Sequence, residues 1–416
     1  MKIGLTIGFF LYWLGMPMLQ AQQFDLLIKG GYLIDEKNGI AEIMDLAISD
    51  GKVATVSPSL PENQAKLTIN AQGLLVCPGI IDPHTHVFVG SQKGTFANGF
   101  SSVSPDDFSF RSGVTTVVDA GTSGWRNFET FKKNVIDLSQ TRVLAFLNIA
   151  GMGMSGKPVE ENMEDMDPEM AYQTLQKYPE ILVGIKIGHF TGTSRLPFDL
   201  ALEASEKAGR PLLVECHLPE YSLEEQLARM RPGDIITHSY EEIAERMPIV
   251  DEHGMLRDFV KEAHLRGVYF DVGHGGAGFW FNQAIPAVQQ GLWPNSFGTD
   301  LHRFSMNSGM KNILNVMSKF MNMGMELEEV IKRATWQTAK AIGRPDLGQL
   351  GIGAVADIAL IRVLEGNFGF IDAGGNRLEG NTKLEAELTI KDGRIVYDLN
   401  GLAAKPYQHR TWTEEK

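Results

Sequence analysis

Between residues 79 and 343 the chain alternates short apolar runs with amphipathic stretches. Eight runs are strand candidates: GIIDPHTHV, TTVVDAGT, RVLAFLNIA, ILVGIKIGHF, PLLVECHL, DIITHSY, GVYFDVGHG and SFGTDLH. Between them lie stretches of helical periodicity, such as PFDLALEASEKAG and LRDFVKEAHLRG. Eight β/α repeats over about 250 residues predict an α/β fold, a closed (β/α)8 TIM barrel. An open doubly wound sheet is the alternative. It has little support as a nucleotide-binding fold, because no Gly-x-Gly-x-x-Gly motif follows the first run and the sequence contains no Walker loop.

The two ends of the chain have a different pattern, in which short apolar runs are separated by turn residues. Residues 22–78 contain FDLLIKGGYLID, MDLAISDGKVATV and KLTINAQGLLV, and residues 344–416 contain AVADIALIRV and AELTIKDGRIVYD. Glycine-containing hairpin turns are predicted at residues 29–31, 50–51 and 392–393. We therefore expect both ends to form one small β-sandwich, with the barrel of residues 79–343 inserted between its two parts.

The first 21 residues resemble a secretory signal peptide. Lys2 precedes the apolar run IGLTIGFFLYWLGMPML, and the small residue Ala21 follows it. A membrane anchor is the alternative, but the run is short for a spanning helix and no basic stop-transfer cluster follows it. The sequence thus predicts cleavage after Ala21, export to the periplasm or the exterior, and no stable membrane anchor afterwards.

Composition narrows the classes of partner. The 416 residues are 43% hydrophobic and 21% charged, which is ordinary for globular proteins. The formal net charge of -13 argues against nucleic acid and anionic membrane surfaces as partners. Cys77 and Cys216 are the two cysteines, and they fit either a disulfide or two buried thiols.

Polar residues end every predicted barrel strand, where the working face of such a barrel lies. In chain order they are His84 with His86, Asp119, Asn148, Lys186, His217, His238, Asp271 with His274, and Asp300. Two histidines at positions i and i+2 of a strand share one face, and neutral imidazole binds metal ions. So many polar groups at one level would be costly without partners. The pattern therefore indicates a metal site.

Lys186 is the unusual member of this set because an ammonium group has no lone pair for a metal. It fits either an ion pair with a rim acid such as Asp119 or a carbamate, which a neutral amine forms with carbon dioxide. A carbamate is anionic and could bridge two ions.

The chain resembles the amidohydrolase superfamily in its binuclear form. The motifs DPHTH, the lysine of the fourth strand, ECH, DIITH and GTDLH occur in the order of that family, and GIGAVADIALIRV resembles its return into the sandwich. More narrowly, DIITHSY, RGVYFDVGHG, TDLH and MSKFMNMGM resemble the dihydroorotase-like amidohydrolase/deacetylase branch. Taken by periodicity alone, MSKFMNMGM is core.

The resemblance implies a ligand set and a mechanism. It assigns His84, His86 and Asp300 to one divalent ion and His217 and His238 to a second. Lys186, carboxylated by carbon dioxide, and a hydroxide would bridge the two ions. Zinc is the default, and manganese, iron or cobalt could replace it. Asp300 would carry the proton from the hydroxide to the leaving group.

The expected activity is deacetylase-like hydrolysis of an amide or ester bond in a small acylated substrate. Ring opening of a cyclic amide is the main alternative. A mononuclear deaminase, which would not need Lys186, and an exported binding protein are the others. Residues expected to contact substrate are Asn148, His189, His274 and His302. Related barrels are often dimers or larger, so a homo-oligomer is also an expectation.

Overall fold

The computed structural model describes residues 23–215, 221–244 and 246–407. The predicted signal peptide, Cys216 and His217 lie outside these residues, and the predictions made for them stay predictions. Within the described ranges no helix is long and apolar enough to cross a membrane.

Strands and helices alternate through the middle of the chain. The strands are β1 (Phe24–Asp35), β2 (Ile40–Ser49), β3 (Lys52–Ser57), β4 (Ala65–Asn70), β5 (Leu75–Pro78), β6 (Ile80–Thr85), β7 (Val89–Gln92), β8 (Val114–Gly124), β9 (Arg142–Asn148), β10 (Leu182–Gly188), β11 (Leu212–Glu215), β12 (Ile235–Ile236), β13 (Tyr269–Phe270), β14 (Ile358–Ile371), β15 (Arg377–Lys391) and β16 (Arg394–Asp398). The helices are α1 (Phe128–Asn134), α2 (Pro168–Lys177), α3 (Leu196–Ala208), α4 (Leu223–Arg229), α5 (Asp258–Arg266), α6 (Phe281–Gln289), α7 (Ile313–Asn322), α8 (Leu327–Ala334) and α9 (Trp336–Ala341).

Seven strands form a parallel sheet in the order β13-β12-β11-β10-β9-β8-β6. Every residue of β8 and β10 is buried, as expected for parallel strands that are covered on both faces. Residues 296–301 join the two edges through isolated parallel bridges, Ser296 to Asp271 and Leu301 to Thr85. The fold is therefore α/β, with parallel strands that curl as they do in a barrel.

The eighth predicted strand is present as these bridges and not as a regular ladder. The backbone N–H of Gly298 donates to Asp271 Oδ1 at 2.8 Å, and that of Thr299 donates to Asp82 Oδ1 at 3.1 Å. Because side-chain carboxylates take these two donors, the segment is satisfied without regular strand pairing.

Both ends of the chain contribute to one eight-stranded sheet. Its order is β16-β15-β14-β5-β1-β2-β3, and β4 pairs with β1. The hairpin turns predicted at residues 50–51 and 392–393 are present, with positive φ at both residues of each turn. That this sheet is a separate sandwich domain with the predicted boundaries stays a prediction.

The hairpin predicted at residues 29–31 is wrong, because β1 runs through this segment. The register of β1 against β2 shifts between Ile28 and Gly31, and Gly30 has a φ of 72°. A side chain at Gly31 would overlap Val76. The glycines therefore form a bulge that permits close packing on β5.

Candidate metal centre and active site

The carboxyl ends of the parallel strands bring six polar side chains together. These are His84 and His86 at the end of β6, Lys186 on β10, Glu215 on β11, His238 just after β12, and Asp300 in the eighth segment. All six are buried. They divide into a first cluster (His84, His86 and Asp300) and a second cluster (Lys186, Glu215 and His238).

The first cluster has the geometry of a metal site. Asp300 Oδ1 lies 3.0 Å from His86 Nε2 and 3.6 Å from His84 Nε2. The potential ligand atoms of the three residues lie within 4.8 Å of one another. His84 Nε2 is buried and has no hydrogen-bond partner among the described residues. Because an orphaned buried nitrogen is costly, and imidazole and carboxylate suit divalent ions, the donor set fits a metal.

The orientation of both histidine rings is fixed by threonines. His84 Nδ1 lies 2.8 Å from Thr237 Oγ1, and that hydroxyl donates to Asp271 Oδ2 at 2.9 Å. His86 Nδ1 lies 3.0 Å from Thr122 Oγ1. With the threonine hydroxyl of the first pair already donating, Nδ1 of His84 carries the proton and Nε2 keeps its lone pair.

The charges of the first cluster suit metal binding. Burial, and then the charge of Lys186, lower the pKa of His84 to about 4, so its ring is neutral at physiological pH. Burial alone would raise the pKa of Asp300, but His302 and His86 hold it well below its usual value. A neutral imidazole therefore faces an ionised carboxylate.

The second cluster is built around Glu215, which sequence reasoning missed as a site residue. Its Oε2 accepts a hydrogen bond from Lys186 Nζ at 2.6 Å, and its Oε1 lies 3.2 Å from His238 Nε2. Burial alone would raise the pKa of Glu215, but the charges of Lys186 and His238 hold it well below its usual value. Burial alone would lower the pKa of His238, but Glu215 raises it to about 9.

A signal for Glu215 was present in the sequence. It precedes His217 by two residues, so both belong to the same face of a strand by the argument that paired His84 with His86. Potential ligand atoms of Glu215, His84 and His238 lie within 4.8 Å of one another. His217 itself lies outside the described residues, and its assignment to a metal stays a prediction.

Comparison with known proteins agrees with this geometry. Residues 75–396 match the sequence profile of the amidohydrolase family. The chain belongs to the amidohydrolase family. It is 30% identical to a deacetylase from Agrobacterium fabrum over an alignment of 334 residues. The alignment covers 79% of this chain and 80% of the relative.

Two solved structures resemble this amidohydrolase. One is titled an adenine deaminase, with a TM-score of 0.82, 28% identity, and coverage of 90% of this chain and 100% of the other. The second is titled a dihydroorotase, with a TM-score of 0.80, 26% identity, and coverage of 90% and 99%. The family and the deacetylase relative support a hydrolase that acts on carbon–nitrogen bonds of small molecules, and enzymes of this family generally bind divalent metals.

Two of the four residues expected to contact substrate lie at the amidohydrolase centre. His302 Nε2 is 3.6 Å from Asp300 Oδ2. His189 lies between two carboxylates, with Nδ1 3.1 Å from Glu160 Oε2 and Nε2 3.2 Å from Glu215 Oε1. Burial alone would lower the pKa of His189, but Glu215 and then Glu160 raise it to about 10.

The side chains of the other two, Asn148 and His274, make hydrogen bonds within the protein. Asn148 donates to Gly121 O at 2.9 Å and accepts from Ala150 N at 3.0 Å. His274 Nε2 lies 2.5 Å from Lys319 Nζ, in the Met-rich segment that the sequence placed in the core. Their substrate contacts stay predictions.

Phe96 is a further residue of the site that sequence reasoning missed. Its ring centroid lies 4.9 Å from that of His86, 5.4 Å from that of His302 and 6.2 Å from that of His189. It lies in the loop after β7, a connection without periodic pattern, so no sequence signal placed it beside these histidines. It supplies an apolar wall beside them.

Proposed function

We propose that this amidohydrolase is a metal-dependent deacetylase-like hydrolase that cleaves the amide or ester bond of a small acylated substrate. The observation that carries the proposal is the first cluster, where the orphaned Nε2 of His84 and the nitrogen of His86 face the carboxylate of Asp300. The similarity to a deacetylase over four-fifths of that relative supports the choice of reaction.

The described residues that would hold metal are His84, His86 and Asp300 for one ion and His238 with Glu215 for a second. Lys186 would join the second set only once it is carboxylated. His217 completes the second set in this proposal. Zinc suits these nitrogen and oxygen ligands. Divalent ions in such a site lower the pKa of water to about 7 and polarise a carbonyl oxygen.

The residues of the chain supply the proton transfer and the shielded surroundings. Asp300 accepts a proton from the attacking water and returns it to the leaving nitrogen or oxygen as the bond to the acyl carbon breaks. His302, 3.6 Å from Asp300 Oδ2, helps keep this carboxylate ionised between turnovers. Phe96 limits the access of bulk water. The products are a carboxylic acid and an amine or alcohol.

An anion of the second cluster that holds metal would have two candidate sources. Carboxylation of Lys186 is the source that the family resemblance implies. The carboxylate of Glu215, 2.6 Å from Lys186 Nζ, is the second, because it places a negative charge at the same amine without modification. A ¹³C NMR spectrum of protein equilibrated with ¹³C-bicarbonate distinguishes them: a carbamate resonance that is absent from Lys186→Met supports carboxylation, and its absence from the parent protein supports Glu215.

The test of the function uses purified protein, metal analysis and a panel of N-acyl, O-acyl and cyclic amide substrates. We expect about two divalent ions per chain, hydrolysis of acetylated members, loss of activity on chelation and its return with zinc. Metal-loaded protein that cleaves no member of the panel would refute the proposal.

A specific observation keeps deamination as a second candidate. The solved structure of highest TM-score among those reported above is titled an adenine deaminase. Release of ammonia from adenine by the metal-loaded protein, without hydrolysis of acyl substrates, would favour it. Glu241 is buried just beyond His238 and ion-paired with Arg246, a poor arrangement for free proton transfer.

The remaining sequence-based expectations stand as proposals. We propose that the parallel strands form a complete (β/α)8 barrel, that the sheet from both chain ends is a separate small β domain, and that the protein is exported after cleavage behind Ala21. Mass spectrometry of the mature N-terminus tests export. Light scattering tests whether the chain forms a homo-oligomer.

A further inference from the structure

Lys319 is a fully buried lysine whose three hydrogen-bond acceptors belong to three different segments. From α7, its Nζ reaches His274 Nε2 at 2.5 Å, Gly309 O at 2.9 Å and Ile371 O at 2.8 Å. An ammonium group has three N–H donors, so each has one acceptor. The residue therefore ties together the loop after β13, the loop after residue 301 and the end of β14.

The contact with Lys319 determines which ring nitrogen of His274 carries the proton. Below a pH of about 7 Lys319 is an ammonium group and can only donate, so His274 Nε2 accepts and the ring proton lies on Nδ1, which is 3.1 Å from Gly275 O. The ring stacks on Phe279, with centroids 4.8 Å apart. Both ring nitrogens are thus used within the protein, and the orientation of the ring is fixed.

His274 is the second residue of a glycine-rich loop, residues 273–278, that lies against Asp300. Its backbone N–H donates to Gly298 O at 3.0 Å, and the N–H of Gly275 donates to Thr299 O at 2.9 Å. A side chain at Gly275 would overlap Asp300 Oδ2, so the backbone touches that carboxylate. The next residue is different, since a Cβ at Gly276 would meet nothing within 4 Å.

We propose that Lys319 is a positioning residue that, through His274, holds the backbone of Gly275 and Gly276 as the wall of the substrate pocket beside Asp300. The space at Gly276 receives the part of the substrate next to the bond that is cleaved. His274 then shapes the pocket without touching the substrate through its nitrogens. The assignment of the pocket rests on the proposed hydrolase function, whereas the positioning of the loop does not.

The positioning is tested by hydrogen exchange in the full-length protein. Lys319→Met keeps an unbranched apolar stem and removes the donors. At a pH of about 6, where Lys319 of the parent protein is an ammonium group, we expect the amides of residues 274, 275 and 278 of the variant to exchange about tenfold faster, because one charge-assisted hydrogen bond is lost. The exposed Lys340→Met serves as control and leaves these amides unchanged. Unchanged exchange in Lys319→Met would overturn the positioning role, whether or not the protein hydrolyses anything.

The pocket wall is tested by Gly276→Ala, which adds one methyl group where the structure has room and therefore folds. We expect its kcat/KM to fall about tenfold more for the larger of two cleaved substrates that differ by one methylene in the leaving group. Metal content stays that of the parent protein, since no ligand is changed. Equal losses for both substrates, or none, would overturn the pocket assignment while the exchange result still decides the role of Lys319.

Discussion

The two clusters of the site differ in how their charges are balanced. In the first cluster a neutral His84 with an orphaned nitrogen faces the Asp300 carboxylate, and threonine hydroxyls set the ring orientation. In the second cluster Glu215 is already bonded to Lys186 and close to His238, whose pKa it raises to about 9. The first cluster therefore has lone pairs available to bind a metal ion, whereas the charged groups of the second cluster are paired with one another.

This difference separates side chains that are expected to act in metal binding from side chains that also stabilise the fold. A buried nitrogen without a hydrogen-bond partner costs folding free energy, and binding of an ion would offset that cost. A buried carboxylate among cations is the opposite case, because removal of either partner leaves an uncompensated charge. We therefore expect substitutions in the first cluster to change metal binding and activity most, and those in the second to change stability as well.

The largest effect is expected for Asp300→Asn. The amide keeps the shape of the side chain but cannot carry the proton, and it is a poorer metal ligand. Hydrolysis should fall by about 10³-fold or more, with loss of metal from the first cluster, while the unfolding midpoint in chelator changes little. Metal analysis and steady-state kinetics measure this. Near-parental activity would show that the first cluster is not the reaction centre.

The next effect is expected for Glu215→Gln, measured by urea unfolding in the presence of a chelator. The substitution leaves Lys186 buried without its carboxylate, which costs about 3–5 kcal/mol. Glu225→Gln, which breaks the exposed pair with Arg195, is the matched control and should shift the midpoint far less. Adding Lys186→Met to Glu215→Gln should recover part of the lost stability. Equal destabilisation by the buried and exposed variants would contradict the contrast between the clusters.

A smaller effect, confined to the first cluster, is expected for Thr237→Val. Valine has the same shape but offers no oxygen to His84 Nδ1, so the ring loses its fixed orientation. Metal affinity should fall by about 10–100-fold, as read by competition with a chromophoric chelator. Thr122→Val does the same to His86 and should give a loss of similar size. If neither variant weakens metal binding, the threonines do not orient ligands.

Sequence patterns predicted the parts of the site that depend on strand periodicity. His84, His86, Lys186, His238 and Asp300 end strands or their continuation, and parallel strands bring their carboxyl ends to one level. The alternating β/α pattern likewise predicted the parallel strands and their order along the chain.

The contacts that come from tertiary packing could not be predicted in this way. Phe96 reaches His86 from a loop, and the Met-rich helical pattern that correctly placed α7 in the core gave no sign of the hydrogen bonds made by the lysine within it. Periodicity says which face of a helix is buried but not which acceptors a buried polar group meets there. The glycines at residues 30–31 show the same limit, since the residue type permits a turn or a bulge and the neighbouring strands decide between them.

The smallest predicted effect concerns the pH dependence of stability, in which two buried lysines, Lys186 and Lys319, should differ. Lys186 contacts a carboxylate, whereas the three acceptors of Lys319 are uncharged, and burial lowers the pKa of Lys319 to about 7 against the opposing charge of Asp372. Between pH 7 and 10.5 this lysine is protonated in the unfolded chain and neutral in the folded chain. The free energy of unfolding therefore rises with pH in this range, by at most about 1.4 kcal/mol per pH unit. Relative to Lys319→Met, the parent protein should thus gain about 2 kcal/mol between pH 7 and 9, measured by urea unfolding at both values. A constant difference would show that Lys319 keeps its proton when folded, and that its three uncharged acceptors offset the cost of burying the ammonium group.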